Sequence, residues 1–127
     1  MSFLSLIFGD WVYKPYSKMI FLILRFKGID ISKNFYIQGI PKLKIRGQSN
    51  YIKINKNVSI NGNIDIRNRE NGKIIIEESV LIDTNSRLVS ANQATLKIER
   101  GCKIGPYTIF NCGEDITIGA NSEFGGY

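Results

Sequence analysis

Few residues in this sequence could move a proton or attack an electrophile near neutral pH. Histidine is absent from all 127 residues, so a base would have to be a carboxylate or a thiolate. Glu114-Asp115 is a paired carboxylate at a polar corner. A base there needs a pKa raised by burial, whereas adjacent corner residues are usually solvated. Cys112 has the atom for a nucleophile, but nothing in the sequence supplies an adjacent base. Small, buried, reduced thiols at Cys102 and Cys112 are the simpler reading. Two cysteines are too few for a disulfide framework and lack a metal-ligand spacing. No catalytic residue and no metal ligand is therefore assigned, and the sparing use of cysteine points to the cytoplasm.

The elements that would position any such group follow from a repeat. One core is what 127 residues support. Beyond residue 28 isoleucine dominates the apolar set, and Asn, Lys and Gly punctuate it. That composition reads as short strands with tight corners. Apolar residues recur at offsets 0, 2, 6 and 8 in Ile29, Ile31, Phe35, Ile37, then Ile52, Ile54, Val58, Ile60, then Ile74, Ile76, Val80, Ile82. Two further copies are Leu96, Ile98, Cys102, Ile104 and Ile116, Ile118, Ser122, Phe124, so the starts lie 23, 22, 22 and 20 residues apart. Offset 14 adds Leu43, Ile66, Leu88 and Phe110. Alternation with period two puts each pair on one side of a strand. Corners such as Ser32-Lys33-Asn34 and Asn55-Lys56-Asn57 tolerate left-handed backbone. Three short strands per turn at constant register predict a triangular prism of about five coils, a parallel β-helix in which each strand pairs with its equivalent one coil away. A β-sandwich would not generate a fixed period from its hairpins.

Residues 1–28 form a different segment, so the chain divides into 1–28 and a β-helix over 29–127. Phe3, Leu4, Leu6, Ile7, Phe8, Trp11, Val12 and Tyr13 make one apolar cluster; after Pro15, the run Met19–Leu24 makes a second, bracketed by Lys18 and Arg25. Neither run reaches the roughly 18–20 uncharged residues of a membrane span, and no small-residue cleavage site marks a signal peptide. Two readings stay open: a helix that caps the open end of the β-helix, or a basic amphipathic helix on a membrane surface. The whole net charge of +6 belongs to residues 1–48, which carry eight Lys/Arg against Asp10 and Asp30. A basic stretch favours an anionic neighbour. Nucleic acid ranks last, because the aromatics cluster with aliphatics and not with Lys/Arg.

The last third reads Ile104-Gly105-Pro106-Tyr107-Thr108-Ile109 and Ile116-Thr117-Ile118-Gly119-Ala120-Asn121. These segments resemble the hexapeptide repeat of the left-handed β-helix acyltransferases. With Gly39-Ile40-Pro41-Lys42 and Asn68-Arg69-Glu70-Asn71-Gly72-Lys73, the stretch Leu24–Tyr127, about four fifths of the chain, resembles bacterial O-acetyltransferases that modify capsule, lipopolysaccharide or exopolysaccharide sugars. The resemblance implies a left-handed parallel β-helix and a homotrimer with sites between neighbouring prisms. It also implies acetyl transfer from acetyl-CoA to a sugar acceptor, in the cytoplasm or peripherally at the inner face of the membrane. In such enzymes a histidine is the base and follows soon after a segment like Gly125-Gly126-Tyr127. The expectation is therefore an N-terminal part of such an enzyme, ending short of its catalytic histidine. Asp83, Asn85 and Asn111 near strand ends are the candidates to hydrogen-bond a sugar or pantetheine, although Asn is equally the ordinary corner residue of this fold. The same prism serves other chemistries, and the alternative is a non-catalytic scaffold or oligomerisation module.

Overall fold

A computed structural model describes residues 12–125; of the apolar cluster predicted over Phe3–Tyr13, the part up to Trp11 lies outside them. Among these residues the α-helix α1 (Tyr13–Phe26) precedes fourteen short strands, with a 3-10 turn at Ser49–Tyr51 between the third and fourth. They are β1 (Asp30–Ile31), β2 (Tyr36–Ile37), β3 (Pro41–Ile45), β4 (Ile52–Ile54), β5 (Ser59–Asn61), β6 (Ile64–Asn68) and β7 (Lys73–Ile76). The chain continues through β8 (Leu81–Asp83), β9 (Ser86–Ser90), β10 (Thr95–Ile98), β11 (Lys103–Ile104), β12 (Ile109–Cys112), β13 (Ile116–Ile118) and β14 (Glu123–Phe124). Every pairing is parallel and joins equivalent strands of successive turns, in three sheets ordered β1-β4-β7-β10-β13, β2-β5-β8-β11-β14 and β3-β6-β9-β12. The protein is a parallel β-solenoid with four complete three-strand turns and two strands of a fifth, one strand fewer than five full coils.

The register is the one the repeat requires. Ile31, Ile54, Ile76, Ile98 and Ile118 align in one unbroken column, all buried. Like-on-like stacking of β-branched side chains is what a parallel ladder with constant register packs best. The first corner of every turn places its third residue in the left-handed region: Asn34, Asn57, Ser79, Gly101 and Asn121 have φ between 59° and 73°. Their amides chain the turns together, Asn57 to the Lys33 carbonyl, Ser79 to Lys56, Gly101 to Glu78 and Asn121 to Arg100. Residues that tolerate positive φ therefore recur because the corner geometry recurs.

Tyr107 breaks this rule of composition. It occupies the second corner one turn after Asn85, both at φ near 60° (61° and 60°), and the residue is 66% exposed. A bulky residue in that region costs about 1–2 kcal/mol, which Asn largely avoids. Tyr107→Asn is expected to stabilise the fold by about 1 kcal/mol, read as a rise of roughly 4 °C in the thermal midpoint.

The third strand carries more inward positions than the repeat predicted. Offsets 12 and 16 also face the core, where Ile64, Ser86, Asn68, Ser90 and Cys112 are all buried. The polar ones are satisfied by backbone: Ser90 donates to the Ala94 carbonyl at 2.8 Å, and Ser86 to the Gly105 carbonyl at 3.2 Å. Asn68 donates to Gln48 O at 3.2 Å and accepts from the Arg46 amide at 3.1 Å. Conversely Leu43 and Phe110 at offset 14 are only partly buried. The third corner is the variable one. In the second and third turns it is a tight turn with two consecutive positive φ values, Glu70-Asn71 and Asn92-Gln93, closed by Gly72 N–H to Arg69 O and Ala94 N–H to Ala91 O, both 2.9 Å.

Helix α1 closes the first turn. Pro15 falls in its first turn, where a missing amide proton costs nothing. Its end is a Schellman cap: Gly28 (φ 93°) donates to Arg25 O and Ile29 to Leu24 O. That cap brings Leu24 and Ile29, both buried, into the shared core and delivers the chain to the first inward position. Tyr13, Ser17, Ile20 and Leu24 are the buried face. Ser17 stands where a further strand would pair with β2, accepting from the Ile37 amide at 2.8 Å and donating to its carbonyl at 3.1 Å. Within the described residues, α1 thus packs its buried face on the first turn.

Candidate functional site

Strand alternation gives the third sheet an outer face as regular as its inner one. The outward positions one side of each inward residue are Lys42 and Lys44 in β3, Asp65 and Arg67 in β6, Arg87 and Val89 in β9, and Ile109 and Asn111 in β12. Four cations and one carboxylate thus share one face. Asp65 is their hub: Arg67 donates to both its oxygens at 2.9 Å, and Arg87 Nε lies 3.4 Å from Oδ2. The fork-on-fork geometry makes the Arg67 pair rigid, while Arg87 and Lys42 stay open to solvent.

A shallow groove runs over this face, lined by Lys42, Asp65, Arg87, Asn85, Ile40 and Ile109 among others. The hydrogen bond from Arg67 is the main cause that holds the Asp65 carboxyl below its ordinary pKa; burial, next in size, opposes it, and the charges of Arg67, Arg87 and Lys42 add to the lowering. Asp65 therefore stays ionised, and the groove combines one fixed anion with cations that have unused N–H donors. Such a surface suits a ligand with phosphate or carboxylate groups beside an apolar part.

The linkage has a definite sign. A folded-state pKa below the unfolded value of ~3.9 means that the unfolded chain binds more protons, so the contribution is complete above that value and fades as pH falls through the folded one. Asp65→Asn is expected to be less stable than the parent in urea at pH 7, with the difference shrinking toward pH 2. A constant difference across that range would show that Asp65 contributes packing alone.

Of the three sugar- or pantetheine-binding candidates, only Asn85 lines the groove. Its backbone takes the left-handed corner conformation and its amide donates to Asn63 O at 2.8 Å, so the corner role is present whatever its side chain binds. Asp83 accepts the adjacent Thr84 amide at 2.7 Å and does not line the groove. Asn111 is exposed on β12, beside Val89. The structure does not gather the three into one cluster. Asp65 and Arg87 escaped the sequence reading; they lie 22 residues apart and adjacent in register, so the repeat itself was the signal that could have found them.

The chemistry-bearing residues elsewhere have structural surroundings. Cys102 and Cys112 are free and fully buried, Cys102 Sγ 3.1 Å from Gly119 O and Cys112 Sγ beside Glu114 O. Glu114 and Asp115 are exposed. Asp115 accepts the Thr95 amide at 2.8 Å, completing the ladder where the third corner has shortened to Gly113-Glu114-Asp115. Among the described residues no three His, Cys, Asp or Glu side chains gather as a metal site, and no helix is long and apolar enough to cross a membrane.

The class defined by this architecture is the parallel β-solenoid. No protein-family model matches the chain, and no curated protein or solved structure gives a significant match.

Proposed function

We propose that this chain forms the scaffold and donor-binding part of an acetyl-CoA-dependent O-acetyltransferase acting on a sugar or surface-polysaccharide hydroxyl. The observation that carries the reading is the groove on the third sheet, where a constant coil register stacks Lys42, Asn85 and Arg87 around Asp65. It is joined by the resemblance of Ile104–Ile109 and Ile116–Asn121 to the hexapeptide acyltransferases. The cations suit the phosphates of CoA, Asn85 suits the amides of its pantetheine arm, and Ile40 and Ile109 suit its apolar stretches. Since the 127 residues contain no histidine, the proposal assigns binding and positioning to this chain and proton abstraction to a group it does not supply. Assembly as a homotrimer belongs to the same reading.

Calorimetric titration with CoA tests it directly. Saturable binding that weakens at least tenfold in Arg87→Gln is expected, with no acetyl transfer to a sugar by this chain alone. Absence of CoA binding would sink the reading; turnover above background would overturn the assignment of the base elsewhere.

A second reading, a non-catalytic module that associates through its last turn, is favoured by a separate observation. Phe124 is 39% exposed and packs edge-on against the partly buried Phe110. A surface aromatic pair of this kind is a contact surface for another chain. Light scattering that found a stable monomer would rule this second reading out.

A further inference from the structure

Helix α1 has two apolar faces, and the solenoid uses only one. Tyr13, Ser17, Ile20 and Leu24 face the core. On the other side Met19, Leu22, Ile23 and Phe26 are exposed by 50%, 63%, 43% and 93%. Their spacing of three, four and seven residues places them in one continuous stripe. Isolated exposed apolar residues need no explanation, whereas a contiguous stripe marks a contact surface.

The charges around that stripe are of one sign. Lys14, Lys18 and Arg25 lie along one border of it, Lys27 follows the helix, and Tyr13–Phe26 contains no acidic residue. Lys14 and Lys18 also line an apolar groove with Phe21, Leu22, Phe35 and Lys33 from the first corner of the solenoid. A second copy of the chain docking here would bring the same cations together, which like-charge repulsion opposes. Residues 1–11 carry one acid, Asp10, and no Lys or Arg, too little to neutralise five cations. A bilayer with anionic headgroups matches both features at once: acyl chains for the stripe and phosphates for its basic border.

We infer that α1 is a membrane-surface helix as well as a cap, docking the solenoid end-on to an anionic phospholipid leaflet through Met19, Leu22, Ile23 and Phe26. The proposal stands on the helix and is independent of acyl transfer. It has a mechanical consequence: the face that binds lipid is separated from the core face by the helix itself, so docking requires no unfolding of the first turn.

The test is co-sedimentation of the full 127-residue protein with vesicles of phosphatidylcholine alone and of phosphatidylcholine mixed with phosphatidylglycerol. Binding to the anionic vesicles is expected to exceed that to the neutral ones by roughly tenfold or more and to weaken with added salt. Leu22→Glu combined with Phe26→Glu should abolish binding while the thermal midpoint and circular dichroism stay unchanged, since neither side chain is in the core. Lys14→Gln with Lys18→Gln should remove most of the preference for anionic vesicles, about fivefold per cation. Equal or absent binding to both vesicle types overturns the inference. So does a dimer that Leu22→Glu dissociates in the absence of lipid, which would assign the stripe to a second copy.

Discussion

Ile76→Ala is expected to lower the unfolding free energy by about 2–5 kcal/mol, measured by urea titration of far-ultraviolet circular dichroism. Ile76 is fully buried in the middle of the Ile31–Ile54–Ile76–Ile98–Ile118 column. Truncation removes contacts to the coils above and below at once, and the strand ladder on both sides keeps the walls from collapsing into the void. The upper part of that range applies for this reason. Ile76→Val, which keeps the β-branch, should cost about 0.5–1.5 kcal/mol. The same truncation at Ile118 should cost less, because that residue has an aligned neighbour on one side only among the described strands. Equal losses at the two positions would mean that the column does not carry the coupling between turns.

Gly72→Ala is expected to be nearly as damaging, at about 3 kcal/mol. A methyl group built on Gly72 would run into the carbonyl of Ser90 and close on the Ala91 amide in the next turn. The obstacle is backbone, held by the Arg69 amide bonding Ser90 O at 2.8 Å and the Lys73 amide bonding Ala94 O at 2.8 Å. No rotamer change relieves it; the two turns must separate at their third corner. Gly113→Ala, where the added carbon meets only Asn92 Nδ2 at 3.7 Å, should change stability by less than about 0.5 kcal/mol. Thermal melts of the two variants side by side separate close approach from a general penalty for alanine at corners.

The contrast between these glycines shows where the sequence was sufficient. Asn71-Gly72 could be read as a corner from its composition, but nothing local distinguishes Gly72 from Gly113. The difference arises because the third corner of one turn lies directly against that of the next, a contact between residues about 20 apart in sequence. The buried polar residues follow the same logic. Asn68, Ser86 and Ser90 sit at inward positions, yet polarity alone assigns them to solvent. They are tolerated inside because each meets a carbonyl: Ser90 that of Ala94 across its own tight corner, Asn68 and Ser86 those of Gln48 and Gly105, which only the coiled path brings near.

The repeat at Ile29, Ile52, Ile74, Leu96 and Ile116 determined by itself the strand positions, the parallel register and the first corners. Strand positions and corners depend on alternation and local φ preference, which neighbouring residues carry, and the register on the near-constant spacing of the copies. The groove was decided by tertiary structure, because Lys42, Asp65 and Arg87 belong to three turns and become neighbours only when equal coils stack. The division of α1 was decided the same way. Both of its faces are apolar, so periodicity could not say which one meets the core. The choice was made by Ser17 fitting the edge of β2 and by the Gly28 cap directing Leu24 inward, leaving Met19, Leu22, Ile23 and Phe26 outside.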